Sequence, residues 1–333
     1  MAWTGNPNFA AAATFAIEQS LTKDWNHIWT RGHPFYRALA AKGTNWNRFQ
    51  PTGTSLIVPV VGKALTNRAA AVSVANETTP LSLTANVHTG EMTQAQYYLA
   101  HYRNNMIIRE SDRQLTQGGQ RGSFLEGMKS IILNDFKDKL SADIADPAGT
   151  APTVASYVAD RIPNFFWVIA TANTVGGINQ ATAGNEDWRG QVYTTLGAFS
   201  PTFVDTAFDA INALGRSTPD LVLASMTGAV NVLQKFRASI SPNERYENTD
   251  FTAKTGLNNF MFRGAAVVGD NRIGSGNLLV LSTDTWFVHM PEKPTLSAPQ
   301  RIPGTDAYEI FASLWAGVAC NDPACNAKLT GIT

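Results

Sequence analysis

Apolar residues recur at every fourth position from Phe124 through Met128, Ile132, Phe136 and Leu140 to Ile144, with Leu125, Ile131 and Leu133 beside them. That spacing lines one side of an α-helix. Gln117-Gly118-Gly119 precedes the run and Asp146-Pro147 stops it, so a helix is predicted over Arg121–Ala145. At 1.5 Å per residue it is roughly 35–40 Å long, the length of a spine rather than a cap. Ser200 and Pro201 open a second helix as N-cap and first-turn residue; Phe203, Ala207, Ile211 and Leu214 share its face and Gly215 ends it. A third is predicted from about Gly228 to Ala238, with Val230, Leu233 and Phe236 inward. Ala10–Leu21 has helical character as well.

Strand patterns fill much of the rest. Thr54–Val61 reads as a strand with Pro59 favouring an edge or a bulge, and Glu91–Ile108 as one long second strand. Between them, Gly62–Gly90 carries short alternating pieces such as Ala71-Val72-Ser73-Val74 with little hydrophobic bulk. A structureless loop of that length is unusual, so a protruding β-hairpin is predicted, and a two-stranded ribbon needs another surface to lie on. Asp220–Ala224 is a buried strand; Asn259–Val268 and Asn277–Leu281 are strands around a Gly-Asp-Asn turn at 269–271. Tyr308–Cys320 and Cys325–Ile332 read as two closing strands joined by Asn321-Asp322-Pro323-Ala324. Asp146–Pro152 is a plausible boundary, and strand–helix alternation from about 165 to 300 suggests an α/β-like subdomain. Residues 1–50 gather Trp3, Phe9, Phe15, Trp25, Trp29, Phe35, Tyr36, Trp46 and Phe49 in an arm interrupted by Gly32, Pro34 and Gly43. These aromatics pack either on their own domain or on a neighbour.

Composition sharpens the picture. Of 333 residues, 44% are hydrophobic but only 16% charged, so the surface either expects a partner or encloses a large core. Lys plus Arg balances Asp plus Glu at 26 each, which removes any bulk field toward nucleic acid or acidic membranes. With two cysteines, Cys320 and Cys325, the chain is neither a disulfide scaffold nor a structural zinc protein. They could face each other across a hairpin as two free thiols. No basic residue precedes Lys23, so no secretory signal is read; the longest uncharged stretch, Ile162–Asn185, is too polar to span a bilayer. A reducing cytoplasm is the expected compartment.

The chain carries little recognisable catalytic chemistry. Gly62-Lys63 lacks both the first glycine and the hydroxyl residue of a phosphate loop, and Gly274-Ser275-Gly276 is too short for a dinucleotide fingerprint. Ser55 has Gly53 before it but Ile57 after it, so there is no nucleophile elbow. His27, His33, His88, His101 and His289 form no metal-binding spacing; His27 and His33 read as packing residues of the arm. Glu186-Asp187, beside Trp188, could bind a cation or exchange protons, but a solvated loop pair is the better reading. Arg237, Arg245, Arg263 and Arg272 are best explained by salt bridges. Accordingly no catalytic residue, cofactor or metal site is assigned, and the chain is not read as an enzyme.

One segment stands apart: 171–189 reads TANTVGGINQATAGNEDWR. With PDLVLAS at 219–225 and FMFRGAAVVGDN at 260–271, it resembles the major capsid proteins of tailed bacteriophages. The order of elements extends that resemblance over nearly the whole chain. It implies an α+β, HK97-like capsid fold, shared by encapsulin shells: an N-terminal arm at 1–50, an extended hairpin loop with flanking strands at 51–110, a peripheral domain with the spine helix at 111–164, an axial domain at 165–300 and closing peripheral strands at 301–333. It further implies hexamers and pentamers of an icosahedral head, a portal, possible decoration proteins, double-stranded DNA contacted non-specifically, no membrane, and a virion location after assembly in the host cytoplasm. Because the chain starts at Met1 directly with the arm, a separate scaffolding protein is expected. Lys63 is the sole lysine near the hairpin and sits at its base, so the Lys–Asn crosslinks of some relatives are not expected from Asn321 or Asn326. The other readings are an encapsulin-type compartment and a soluble enzyme with an unrecognised site.

Overall fold

A computed structural model of the chain describes residues 33–60, 94–109, 121–226, 230–240, 259–290, 295–297 and 300–333. Ala10–Leu21, most of the aromatic arm, the Gly62–Gly90 hairpin and the glycines at 118 and 119 lie outside the described residues.

The arm does not stay broken at Pro34 and Gly43. Between them runs α1 (Pro34–Lys42), because proline at the first helical position costs no hydrogen bond and Gly43, at φ 69°, returns its N–H to Leu39 O. The predicted long second strand is two strands that change partners at Leu99. β1 (Ser55–Pro59) pairs antiparallel with β2 (Gln94–Tyr98), whereas β3 (Ala100–Arg109) belongs to another sheet. The spine helix α2 (Arg121–Ile144) has 24 residues, and Ile132, Phe136, Leu140 and Ile144 from the predicted stripe are buried. A small hairpin of β4 (Val154–Ala155) and β5 (Val158–Ala159) follows, then a single turn, α3 (Phe165–Val168), and a second tight hairpin, β6 (Thr174–Val175) and β7 (Ile178–Asn179).

Beyond β8 (Gln191–Tyr193), α4 (Pro201–Ala213) starts at its predicted cap, Ser200 Oγ accepting from Thr202 N. β9 (Leu221–Ser225) is wholly buried, and α5 (Val232–Ser239) begins after Asn231 rather than near Gly228. The predicted strand Asn259–Val268 is a hairpin, β10 (Phe260–Phe262) and β11 (Ala265–Asp270), turning at Arg263-Gly264 with φ of 49° and 87°. Gly269 and Asp270 thus extend a strand instead of forming a turn. β12 (Leu278–Leu281), β13 (Trp286–His289), β14 (Thr295–Leu296), β15 (Gln300–Arg301), β16 (Ala307–Cys320) and β17 (Ala327–Leu329) complete the chain.

Two large sheets organise these pieces. One has the order β13-β16-β3-β5-β4, with β14 and β15 also on β16; the other runs β10-β11-β9-β12-β17-β8. Two sequence expectations change here. β13, read inside the axial segment, pairs with β16, a strand read as peripheral. β17, read as a closing peripheral strand, lies between β12 and β8, so it forms no hairpin with β16. Asp322 and a short 3-10 turn at Pro323–Cys325 carry the chain from one sheet to the other.

The second sheet is buried on both faces, and its residues sort by parity. Val222, Ala224, Val267, Leu278 and Val280 join a core beneath α4 and α5. Leu221, Leu223, Val268, Leu279 and Leu281 face the other core, with α1, α2 and Trp286. Strands buried on both sides read as continuous apolar runs, which is why LVLA and LLVL show no alternation.

Candidate assembly interfaces

Residues 171–189 fold as a small self-bonded unit. The β6–β7 turn places Gly176 and Gly177 at φ 59° and 81°, the two positive values of a type I′ turn that only glycine adopts without cost. Gln180, fully buried, donates its side-chain amide to Val168 O and Trp188 O at 3.0 Å and accepts from Asn173 N at 3.3 Å. The Trp188 indole is 1% exposed and donates to Val175 O at 3.3 Å. Arg189 Nε closes the unit on Gln180 O at 2.6 Å. Glu186 and Asp187 sit in a one-turn 3-10 helix on the outside, where Glu186 accepts from Gly184 N and lies 3.7 Å from Arg189. They belong to no group of three or more potential metal ligands among the described residues.

This unit touches the root of the β1–β2 ribbon. Gly176 O accepts from Gln96 N at 3.0 Å. The ribbon's inner residues, Leu56, Val58, Ala95 and Tyr97, are buried, and Tyr97 Oη donates to Cys320 O at 2.7 Å. The ribbon is therefore anchored to β16 from below and to the glycine turn from the side.

The root of the arm is equally fixed. Phe35, Phe165 and Trp286 form an edge-to-face triad with centroids 4.9–5.6 Å apart. His33 caps α1 through Nδ1, which accepts from Phe35 N at 3.3 Å, and its Nε2 lies 2.6 Å from Asp270 Oδ2. Both side chains are 1% exposed. Burial alone would raise the Asp270 carboxyl, but His33, the Arg272 N–H and the Arg272 charge hold it below its ordinary value. His33 does pack among aromatics, as read from sequence; its partner Asp270, far downstream in the chain, had no local signal.

A third surface is the side of the first sheet turned away from α2. His101 stacks on Trp315 at 4.3 Å and 6°, Arg103 lies 5.7 Å over Phe311, and Asn105 donates to Glu309 at 2.8 Å. Ile107 continues the row at 47% exposure. Alternation places these residues opposite buried Tyr102 and Met106. Elsewhere Ile131 on α2 is 62% exposed and Tyr157, at the β4–β5 tip, 72%.

The remaining chemistry is structural. Arg263 pairs with Asp205 and Asp209, Arg272 with Asp138, and Arg237 lies over Phe260; Arg245, His27, His88 and Lys63 are outside the described residues. Cys320 and Cys325 are both buried free thiols; burial, then Asp322, pushes Cys325 up to about 12. Asn326 accepts from Ser282 N and Trp286 Nε1 and donates to Thr285 Oγ1 and Asp322 O. A cleft of about 450 Å³ lies between the Pro147–Gly149 loop, Ala170–Asn173 and the β8 edge. Its one titratable lining group, Lys328, donates to Phe166 O at 2.7 Å.

No protein-family model and no curated protein matches the sequence. Solved structures do. The cyanophage A-1(L) capsid asymmetric unit is 15% identical, over 88% of this chain and 92% of that one, with a TM-score of 0.62. The capsid of an empty GTA particle is 15% identical over 84% and 85%, at 0.52, and that of a native GTA particle 15% over 84% and 86%, also at 0.52. The α+β architecture of this chain, from the arm root to the closing strands, is the HK97-like fold of those capsid shells.

Proposed function

We propose that the chain is a major capsid protein: a structural, non-enzymatic subunit that self-assembles into an icosahedral phage head around double-stranded DNA. The observation that carries this reading is the agreement in fold with a phage capsid subunit along 88% of the chain. Physical features support it. The ribbon base and the arm root are rigidly anchored, the sheet face bearing Trp315 and Ile107 is partly open, and net charge is zero, so copies meet without long-range repulsion. In this reading hexamers and pentamers form in the host cytoplasm, a separate scaffolding protein and a portal direct them, and decoration proteins bind the finished virion. DNA is contacted non-specifically, and no cofactor takes part.

Expression with and without the neighbouring genes, followed by sedimentation and negative-stain microscopy, tests the proposal. Closed shells filled with DNA in the complete system are expected. Monomers or small oligomers under every condition would overturn it, and shells carrying an enzyme cargo would replace it with an encapsulin-type compartment.

A further inference from the structure

We infer that Gly176 is a positioning residue for assembly: docked on the Gln96 amide, it sets the angle at which the β1–β2 ribbon leaves the body of the subunit. The inference rests on the capsid reading, and its basis is geometric. Leu99 N donates to Thr54 O at 2.8 Å, and antiparallel bonding alternates along a strand, so Gln96 N–H points away from β1. That free edge is taken by Gly176 O at 3.0 Å. The contact is close enough to exclude any side chain. A Cβ at Gly176 would meet the Ala95 Cβ at 2.6 Å and the Tyr97 ring at 3.2 Å, whereas one at Gly177 would meet nothing.

The turn cannot yield. Trp188 holds Val175 O, and buried Gln180 ties Val168 to Trp188, so the displacement falls on the ribbon. A crevice of about 150 Å³ beside the contact, lined by Gln96, Tyr98, Trp167 and Gly177 among others, leaves the ribbon room to move. Shifting one end of a five-residue strand, about 16 Å long, by about 1 Å tilts it by about 4°. A closed shell repeats that error at every subunit, and an angle that does not close gives open or irregular assemblies.

Four variants of the full chain, expressed with the neighbouring genes, decide the matter. G177A also places an alanine at positive φ, 81° against 59° at Gly176, but without the collision, and serves as its control. Q96P removes the donor on the side facing away from β1. The A95G/G176A double variant removes the colliding methyl. We expect G177A to give closed particles of parental diameter, G176A and Q96P to fold but lose them, and A95G/G176A to regain them. Gln96 amide exchange in the unassembled parent subunit should be slow, and faster in G176A. Parental particles from G176A, an unprotected Gln96 amide in the parent, or loss of any melting transition in both G176A and Q96P would each overturn the inference. If the parent makes no particles at all, the capsid reading fails instead, while Gln96 exchange still reports on the contact.

Discussion

His33 and Asp270 show how one residue pair can join distant segments of a subunit. The carboxyl is held below its ordinary value by an imidazole in contact and by the Arg272 N–H, against the opposing effect of burial. A depressed folded value means stabilisation that is complete above the unfolded pKa, about 4, and lost as pH falls through the folded one. Urea unfolding should therefore show parental stability dropping on acidification below about pH 4, while Asp270→Asn is weaker by about 3 kcal/mol at neutral pH and flatter below it. Cys320 and Cys325 provide a second residue-scale expectation. Both are fully buried and their thiols are pushed upward, so iodoacetamide should label them at the rate of global unfolding, with Cys325→Ser removing one site. Neither expectation was legible in sequence, because each depends on partners brought together only by the fold.

Among elements, those governed by local periodicity were readable and those governed by pairing were not. The four-residue stripe predicted the spine helix within a residue of its observed end, and Ser200-Pro201 marked the start of α4. Positions at which a strand changes sheets or turns back leave no such trace: Leu99 looks like any apolar residue, and Arg263-Gly264 turns the chain inside a run that is apolar on both sides. Gln180 likewise reads as a polar loop residue, although its amide organises the turn around it. The spine itself allows a graded test. Phe136→Ala should cost about 3–5 kcal/mol in thermal unfolding of the isolated subunit, since the side chain is 3% exposed. Ile131→Ala, one turn away at 62% exposure, should cost well under about 1 kcal/mol there and act on assembly instead.

At the scale of the whole molecule, the order of elements pointed to the shell fold while leaving the allocation of strands β13 and β17 wrong. The second failure is one of pairing: β17 is only Ala327-Lys328-Leu329, and nothing in so short a segment says that it lies between β12 and β8. Covalent stabilisation of the particle can be argued at this scale too. Asn326 is fully buried, its amide bonded to Ser282, Trp286, Thr285 and Asp322, so its carbonyl carbon is out of reach of a neighbour's lysine. Denaturing, reducing gels of assembled particles should accordingly show one band, and a ladder of multimers would reverse that expectation.

The sheet with a core on each side also bears on calorimetry. Two lobes joined by a linker can melt one after the other, but here Leu221 and Val222, neighbours in a single strand, belong to opposite lobes. Melting either lobe strips one face of the same ladder, which the other then cannot retain. The unassembled subunit should give a single endotherm whose calorimetric and van't Hoff enthalpies agree, so that heat registers as one object what the eye divides into two.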